Sequence, residues 1–141
     1  MAKSTLLKYK IHWHVIFTHF PASFFAISFV FMILYHLTGS ACHESASFLC
    51  LLAGAVILVP TVVSGWVTWK NRYKGMRGKI FIYKIRIAIG MMIGSVLIVV
   101  VRLLLPNEPH IVWMLIYTPG VFLLSLGAMA EGYYGGRLNH R

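Results

Sequence analysis

Four long apolar stretches divide this chain, and its basic residues lie almost entirely between alternate pairs of them. The predicted membrane spans cover residues 15–37, 47–69, 80–105 and 111–134. Each of them is long enough to cross a hydrocarbon core of ~30 Å as a helix. The sequence therefore predicts an all-α fold, an integral membrane four-helix bundle that forms a single membrane domain over residues 1–141.

The positions of the basic residues predict how the chain is oriented. Of the thirteen Lys and Arg residues, only Arg102 lies beside one of the other two connections. The rest lie at the two termini and from Lys70 to Arg86, which covers the connection between the second and third spans and the start of the third span. Because cytoplasmic segments of membrane proteins carry an excess of Lys and Arg, we expect both termini to be cytoplasmic, the N-in/C-in arrangement.

Composition excludes most other classes of protein. The chain is 59% hydrophobic and 11% charged, with a mean hydropathy of +0.77, which leaves no room for a soluble domain. The formal net charge of +10 belongs to a belt beside the membrane that attracts anionic lipid headgroups. We therefore expect membrane lipids as partners and no nucleic acid.

Histidine is the residue type that offers chemistry here. There are seven histidines, and one inside a span is a functional hypothesis because its burial in lipid is costly. Neutral imidazole binds iron well, and histidines on neighbouring helices can hold haem. Since the second and third spans contain none, His36 and His110 form the best intrachain pair. For His19, the second haem ligand would have to come from His140, from Met129 or from a neighbouring chain.

Two sulfur-containing residues lie near the outer end of the second span. Cys42 precedes His43 in a sequence that looks like a c-type haem attachment motif without its first cysteine. A haem held at Cys42 by one thioether bond is one interpretation. A disulfide between Cys42 and Cys50 is another, and two free thiols are the third.

Glu131 is the one acidic residue that the sequence places at membrane depth near the cytoplasmic side. We expect it to form an ion pair with Arg86 or Arg137. The alternative is a candidate proton site that serves a quinone.

Prolines and small residues predict how the spans are shaped and packed. Pro60 and Pro119 predict bends or missing backbone hydrogen bonds, tolerated in lipid where neighbouring helices or Ser/Thr groups compensate. Pro106 and Pro109 precede the fourth span. Helices in lipid associate through small residues, so Gly54 and the G-x-x-x-G at 90–94 predict close packing or, alternatively, a cofactor beside the missing side chains.

The start of the first span resembles a known family. Residues 14–21 read H-V-I-F-T-H-F-P and resemble the H-P-x-L-V-H-F-P motif of domain of unknown function 2231, a family of small four-span bacterial membrane proteins. The likeness continues in order with two further pairs, Gly65-Trp66 and Gly135-Gly136. The resemblance implies a bacterial cytoplasmic membrane and carries the family histidines onto His14 and His19. Family members occur beside Rieske-type modules, which implies an iron–sulfur or cytochrome redox partner.

Catalytic arrangements are otherwise missing from the sequence. It has no aspartate, only three acids, no nucleophile beside a base and no phosphate-binding glycine loop, which argues against a stand-alone hydrolase, kinase or pump. We hypothesise an electron-transfer subunit that binds haem b through span histidines and links quinol to a partner redox protein. The alternative is a non-catalytic structural or assembly subunit that packs against a larger membrane complex or forms a homo-oligomer.

Overall fold

In a computed structural model of the protein, the described residues are 2–76, 78–105 and 113–139, with side chains described over 17–71, 73–76, 78–105 and 115–137. Within these residues the chain forms four long helices and no strand. The helices are Ala2–Thr38 (α1), Ala41–Arg72 (α2), Lys79–Leu104 (α3) and Thr118–Asn139 (α4). Each overlaps one predicted span and is apolar and long enough to cross a membrane, which confirms the all-α membrane bundle.

Short connections make consecutive helices antiparallel neighbours. α1 ends before Gly39, whose φ of +67° suits a residue without a Cβ, and the Gly39 amide donates to the Tyr35 carbonyl at 2.8 Å. α2 then begins two residues later. The connection to α3 is held by Trp69, whose indole donates to the Met76 carbonyl at 3.0 Å.

A hydroxyl from a neighbouring helix compensates for the proline inside α1. Pro21 has no amide proton to donate to the Phe17 carbonyl one turn earlier. The Thr61 hydroxyl of α2 lies 2.9 Å from that carbonyl oxygen and also 2.8 Å from the Ile57 carbonyl of its own helix. The contact therefore restores a hydrogen bond in a place where lipid offers none, and it ties α1 to α2.

The fourth span begins irregularly, as its proline predicts. A π-helical turn covers Trp113–Tyr117 and runs directly into α4, where Pro119 is the second residue. Turns of this kind are uncommon and often mark a functional position in a helix. Pro106 and Pro109, which also led us to expect irregular backbone, lie outside the described residues.

The interior of the bundle contains large apolar side chains together with several small polar ones. Among the described residues, the fully or nearly fully buried apolar core comprises Phe25, Met32, Leu51, Leu58, Met91, Ile98, Tyr117, Val121, Leu124 and Ala128. Ser28, Ser47, Ser95 and Ser125 are buried among them. Small polar residues of this kind hold membrane helices together through hydrogen bonds and close backbone approach.

Two ion pairs stand near opposite ends of the apolar belt. Arg102 pairs with Glu44, and Lys84 pairs with Glu131. Eighteen residues of α3 separate the two cations, which is ~27 Å along a helix axis and close to the ~30 Å thickness of a hydrocarbon core. We call the two ends of the bundle the Arg102 end and the Lys84 end.

Candidate functional site

The ion pair at the Arg102 end joins α2 to α3 with two hydrogen bonds. Arg102 Nε donates to Glu44 Oε1 at 2.5 Å, and Nη2 donates to Oε2 at 2.9 Å. Only 20% of the Arg102 side chain and 11% of the Glu44 side chain are exposed. The guanidinium also lies 5.4 Å from the centre of the Phe48 ring. In this two-pronged geometry each charge is neutralised by the other and largely buried between the helices.

Sequence reasoning did not predict this pair, although it held a signal for it. Arg102 was the one exception to the segregation of the basic residues. Glu44 lies in the connection between the first and second spans, on the side of the bundle where Arg102 ends the third span. An unpaired charge of each sign at one depth suggests an ion pair, but 58 residues separate the two, and only the packing of α2 against α3 brings them together.

Deeper in the bundle, serine hydroxyls connect the helices. Ser28 of α1 donates to the Ser47 carbonyl of α2, and Ser47 donates to the Ser28 carbonyl, both at 2.8 Å. Ser125 of α4 donates to the Phe25 carbonyl of α1, also at 2.8 Å. Tyr117 is also fully buried. Hydrogen bonds therefore link α1 to both α2 and α4 in the middle of the bundle.

The predicted haem ligand His36 is held in a hydrogen bond between helices. Its Nε2 lies 2.7 Å from the hydroxyl oxygen of Thr118, the first residue of α4. The partner that we expected for it, His110, lies outside the described residues. At the same end, the imidazole Nδ1 of His43 lies 2.8 Å from the Thr38 hydroxyl. Both rings therefore contribute to the attachment of one chain segment to another.

His19 lies on the outside of the bundle. Its side chain is exposed. Ser125 contacts Phe25, and Glu131 lies six residues beyond Ser125 while His19 lies six residues before Phe25. Because α1 and α4 are antiparallel, His19 lies at the depth of Glu131. The side chains of His12 and His14, and all of His140, lie outside the described part of the chain.

Glu131 forms its ion pair with Lys84, so the prediction of Arg86 or Arg137 as its partner was wrong. Lys84 Nζ lies 2.7 Å from Glu131 Oε2 and donates to the Glu131 backbone carbonyl at 3.2 Å. Lys84 faces α4 because it shares one face of α3 with the buried residues Met91, Ser95 and Ile98. Arg86, two positions further along, is rotated by ~200° from that face and is exposed.

The two oxygens of the Glu131 carboxylate have different surroundings. Oε1 is buried and has no hydrogen bond from any side chain or backbone group that the structure describes. The interpretation of Glu131 as a candidate proton site stays a prediction.

The two cysteines are free thiols, so the predicted disulfide alternative is not formed. Cys42 is exposed at the start of α2, and Cys50 is partly buried two turns further on. In the part of the chain whose side chains are described, no three His, Cys, Asp or Glu residues come together as a metal site would require. The thioether-linked haem at Cys42 stays a prediction.

Glycines have different roles in different helix pairs. A Cβ on Gly54 would lie 2.8 Å from the Phe25 ring, so this glycine permits the close approach of α2 to α1 that we expected. A Cβ on Gly94 would lie 3.6 Å from Leu124, and one on Gly90 would meet no atom within 4 Å. The two glycines of the G-x-x-x-G line a groove between α3 and α4.

Comparison with known proteins does not assign this arrangement to a group. The chain matches no known family model, no curated protein and no solved structure. The resemblance of residues 14–21 to domain of unknown function 2231 therefore stays a prediction.

Proposed function

We propose that this chain is a non-catalytic membrane subunit that packs through one face of α1 against other membrane chains, either of a larger complex or of a homo-oligomer. We define the His19 face as the exposed residues His19, Ser23, Ala26, Ile27 and Val30 of α1. Polar and small residues are typical of helix interfaces in membranes, where a histidine can form a hydrogen bond across the contact. The outward position of His19 on this face is the observation that carries the proposal.

The interior of the bundle supports the same proposal. Its ion pairs and serine contacts connect helices, and His36 is bound to Thr118. These groups stabilise the contacts between helices. An arrangement of this kind makes the bundle a stable scaffold, and its function then depends on what binds to its outer surface.

The proposed assembly can be tested in the native membrane. The full chain, tagged and produced at its natural level, is extracted in mild detergent and weighed by native mass spectrometry. We expect a discrete assembly heavier than the 15.9 kDa chain. His19→Leu combined with Ser23→Leu should release the single chain, whereas Ser45→Leu, the same change at an exposed position of α2, should not. A wild-type protein that is monomeric throughout would refute the proposal.

The orientation of the bundle is part of the proposal. We place the Lys84 end, with both termini, in the cytoplasm because the basic residues flank it. Cys42 is exposed at the opposite end. A membrane-impermeant maleimide should therefore label intact cells at Cys42, and Cys42→Ser should abolish the labelling although Cys50 is still present. Labelling that requires permeabilised cells would reverse the orientation.

Electron transfer through haem b is a second candidate function, and the exposed imidazole of His19 favours it. A histidine on the surface of one chain could share a haem iron with a histidine of another chain. Haem would supply one-electron chemistry between quinol and a redox partner protein. The family resemblance, which points to His14 and His19, adds to this candidate.

One spectrum separates the two candidates. Purified assembly with stoichiometric haem, shown by Soret absorbance and a pyridine haemochrome, would replace the non-catalytic proposal with the haem proposal. In that event His19→Gln should remove the absorbance, whereas His43→Gln, whose imidazole binds Thr38, should retain it. The haem candidate would be rejected by an assembly that contains no haem and that falls apart into single chains when His19→Leu and Ser23→Leu are combined.

A further inference from the structure

The contact between α3 and α4 is open to the outside at two places along its length. At the Lys84 end a cleft of about 500 Å³ lies between the start of α3 and the end of α4. Nearer the middle, a groove of about 370 Å³ follows the same two helices. The two cavities therefore lie one after the other along the same two helices, and we call this contact the α3/α4 seam.

The cleft at the Lys84 end has the chemistry of a site for an anion at a membrane surface. Exposed Lys79 and Arg137 line it together with Phe81, Tyr83 and Tyr134. The Tyr83 and Tyr134 rings stack with centroids 5.9 Å apart. The described residues that line the cleft include two cations and no acid. Aromatic rings beside cations are typical of the level at which lipid headgroups lie.

The groove nearer the middle is apolar and has the position of a lipid chain. Eleven residues of α3 separate Lys79 from Gly90, which is ~16 Å along the axis, about the depth of one leaflet of a ~30 Å hydrocarbon core. A Cβ on Gly90 would meet no atom within 4 Å. Exposed Leu97 and Leu123 form the walls further along. A space with apolar walls lies one leaflet below a cationic cleft.

We infer that the α3/α4 seam binds one anionic phospholipid, with its phosphate between Lys79 and Arg137 and an acyl chain beside Gly90. Charge complementarity selects the headgroup, since the cleft holds two cations that face the solvent and lipid surface. Because Gly90 has no side chain, there is space for the acyl chain beside it. This inference uses a different surface from the His19 face and does not depend on the proposed function.

Native mass spectrometry of the full chain measures the binding directly. The protein in detergent is titrated with phosphatidylglycerol and with phosphatidylcholine of the same acyl chains. We expect one tightly bound phosphatidylglycerol and at least ten-fold weaker phosphatidylcholine. Each cation beside a headgroup strengthens binding about five-fold, so Lys79→Gln with Arg137→Gln should weaken it about thirty-fold. Equal binding of the two lipids would overturn the inference.

Two further variants separate a site from the general attraction of a basic surface. Lys70→Gln removes an exposed cation of α2 that lies 5.5 Å from the Trp66 ring and should change binding less than two-fold. Gly90→Leu fills the groove and should lower phosphatidylglycerol binding several-fold with little change in the melting temperature. If Lys70→Gln acts as strongly as Lys79→Gln, or if Gly90→Leu has no effect, the inference fails.

A second copy of the chain is the competing occupant of the seam. It would appear as a dimer whose abundance falls with Gly90→Leu and does not change with added phosphatidylglycerol. That result would overturn the lipid assignment. A dimer that Gly90→Leu leaves intact, together with retention of one phosphatidylglycerol per wild-type chain, would support it.

Discussion

The α1/α2 and α3/α4 helix pairs both join antiparallel neighbours, yet one is closed and the other is partly open. Between α1 and α2, paired Ser28 and Ser47 hydrogen bonds and the Thr61 contact hold the backbones together. Between α3 and α4, the described polar contacts are those of Lys84 with Glu131. The closed pair is therefore the one with more hydrogen bonds across its contact.

Glycines show the difference most clearly. Gly54 in the closed pair accommodates the fully buried Phe25 ring, while Gly90 in the open pair lies beside empty space. The same residue type therefore permits close packing at Gly54 and leaves open space at Gly90. A motif such as G-x-x-x-G predicts where helices can approach, and the neighbouring side chains decide whether they do.

The largest expected effect is the difference between two single variants that place the same leucine side chain at Gly54 or at Gly90. Gly54→Leu should lower the free energy of unfolding by about 3 kcal/mol, because a Cβ there would lie 2.8 Å from the ring of Phe25, which is fully buried. Gly90→Leu, the matched variant, should cost less than about 0.5 kcal/mol. Unfolding in mixed micelles, followed by fluorescence of the four tryptophans, measures both. Equal losses would contradict the distinction between the two pairs.

The ion pair of the open seam should have the next largest effect. Lys84→Met leaves the Glu131 carboxylate without its cation and should destabilise by about 2 kcal/mol. This is below the value of about 3–5 kcal/mol for a fully buried pair, because 22% of Lys84 and 24% of Glu131 remain exposed. Lys79→Met removes an exposed cation of the same helix as a control. If the two variants unfold alike in the same micelle titration, the pair does not hold the seam.

The hydroxyl that compensates for Pro21 should have a smaller effect. Thr61→Val removes the donor to the Phe17 carbonyl and should destabilise by about 1 kcal/mol, as hydrogen bonds between membrane helices do. Thr68→Val is the control, because Thr68 donates within its own helix to the Ser64 carbonyl. Melting temperatures that fall equally for the two variants would show that the contact between helices adds nothing.

The smallest expected effect has the opposite sign. Gly90→Ala should raise the free energy of unfolding by about 0.5 kcal/mol, since alanine favours the helix and meets open space. Gly120→Ala, on the other side of the same seam, should lower it, because a Cβ there would lie 2.5 Å from the Ile98 side chain. A loss of stability with Gly90→Ala would mean that the groove is closed.

Particular side-chain pairs show why sequence reasoning stopped where it did. An apolar helix in lipid is apolar on all sides, so periodicity does not reveal which face of α3 is buried. The face with Lys84, Met91, Ser95, Ile98 and Arg102 and the face with Arg86 and Gly90 look alike in the sequence. The partner of Glu131 was therefore assigned to Arg86 or Arg137, and the Arg102–Glu44 pair was missed.

The histidines show the same limitation. Their number and depth suggested cofactor ligands, but a histidine at a given depth can face a neighbouring helix or the outside. The rotation of α1 places His36 against Thr118 and turns His19 outward. That rotation follows from contacts such as Ser28 with Ser47, which involve residues nineteen positions apart.

The sequence by itself determined the class and the number of spans. A stretch of about twenty apolar residues must become a helix in lipid, because lipid cannot satisfy backbone hydrogen-bonding groups. Only the tertiary structure decided which helix faces meet, which charges pair and where a seam stays open. Those features depend on the rotation and register of one helix against another, and lipid solvates every apolar face equally well, so side-chain contacts between distant segments make the choice.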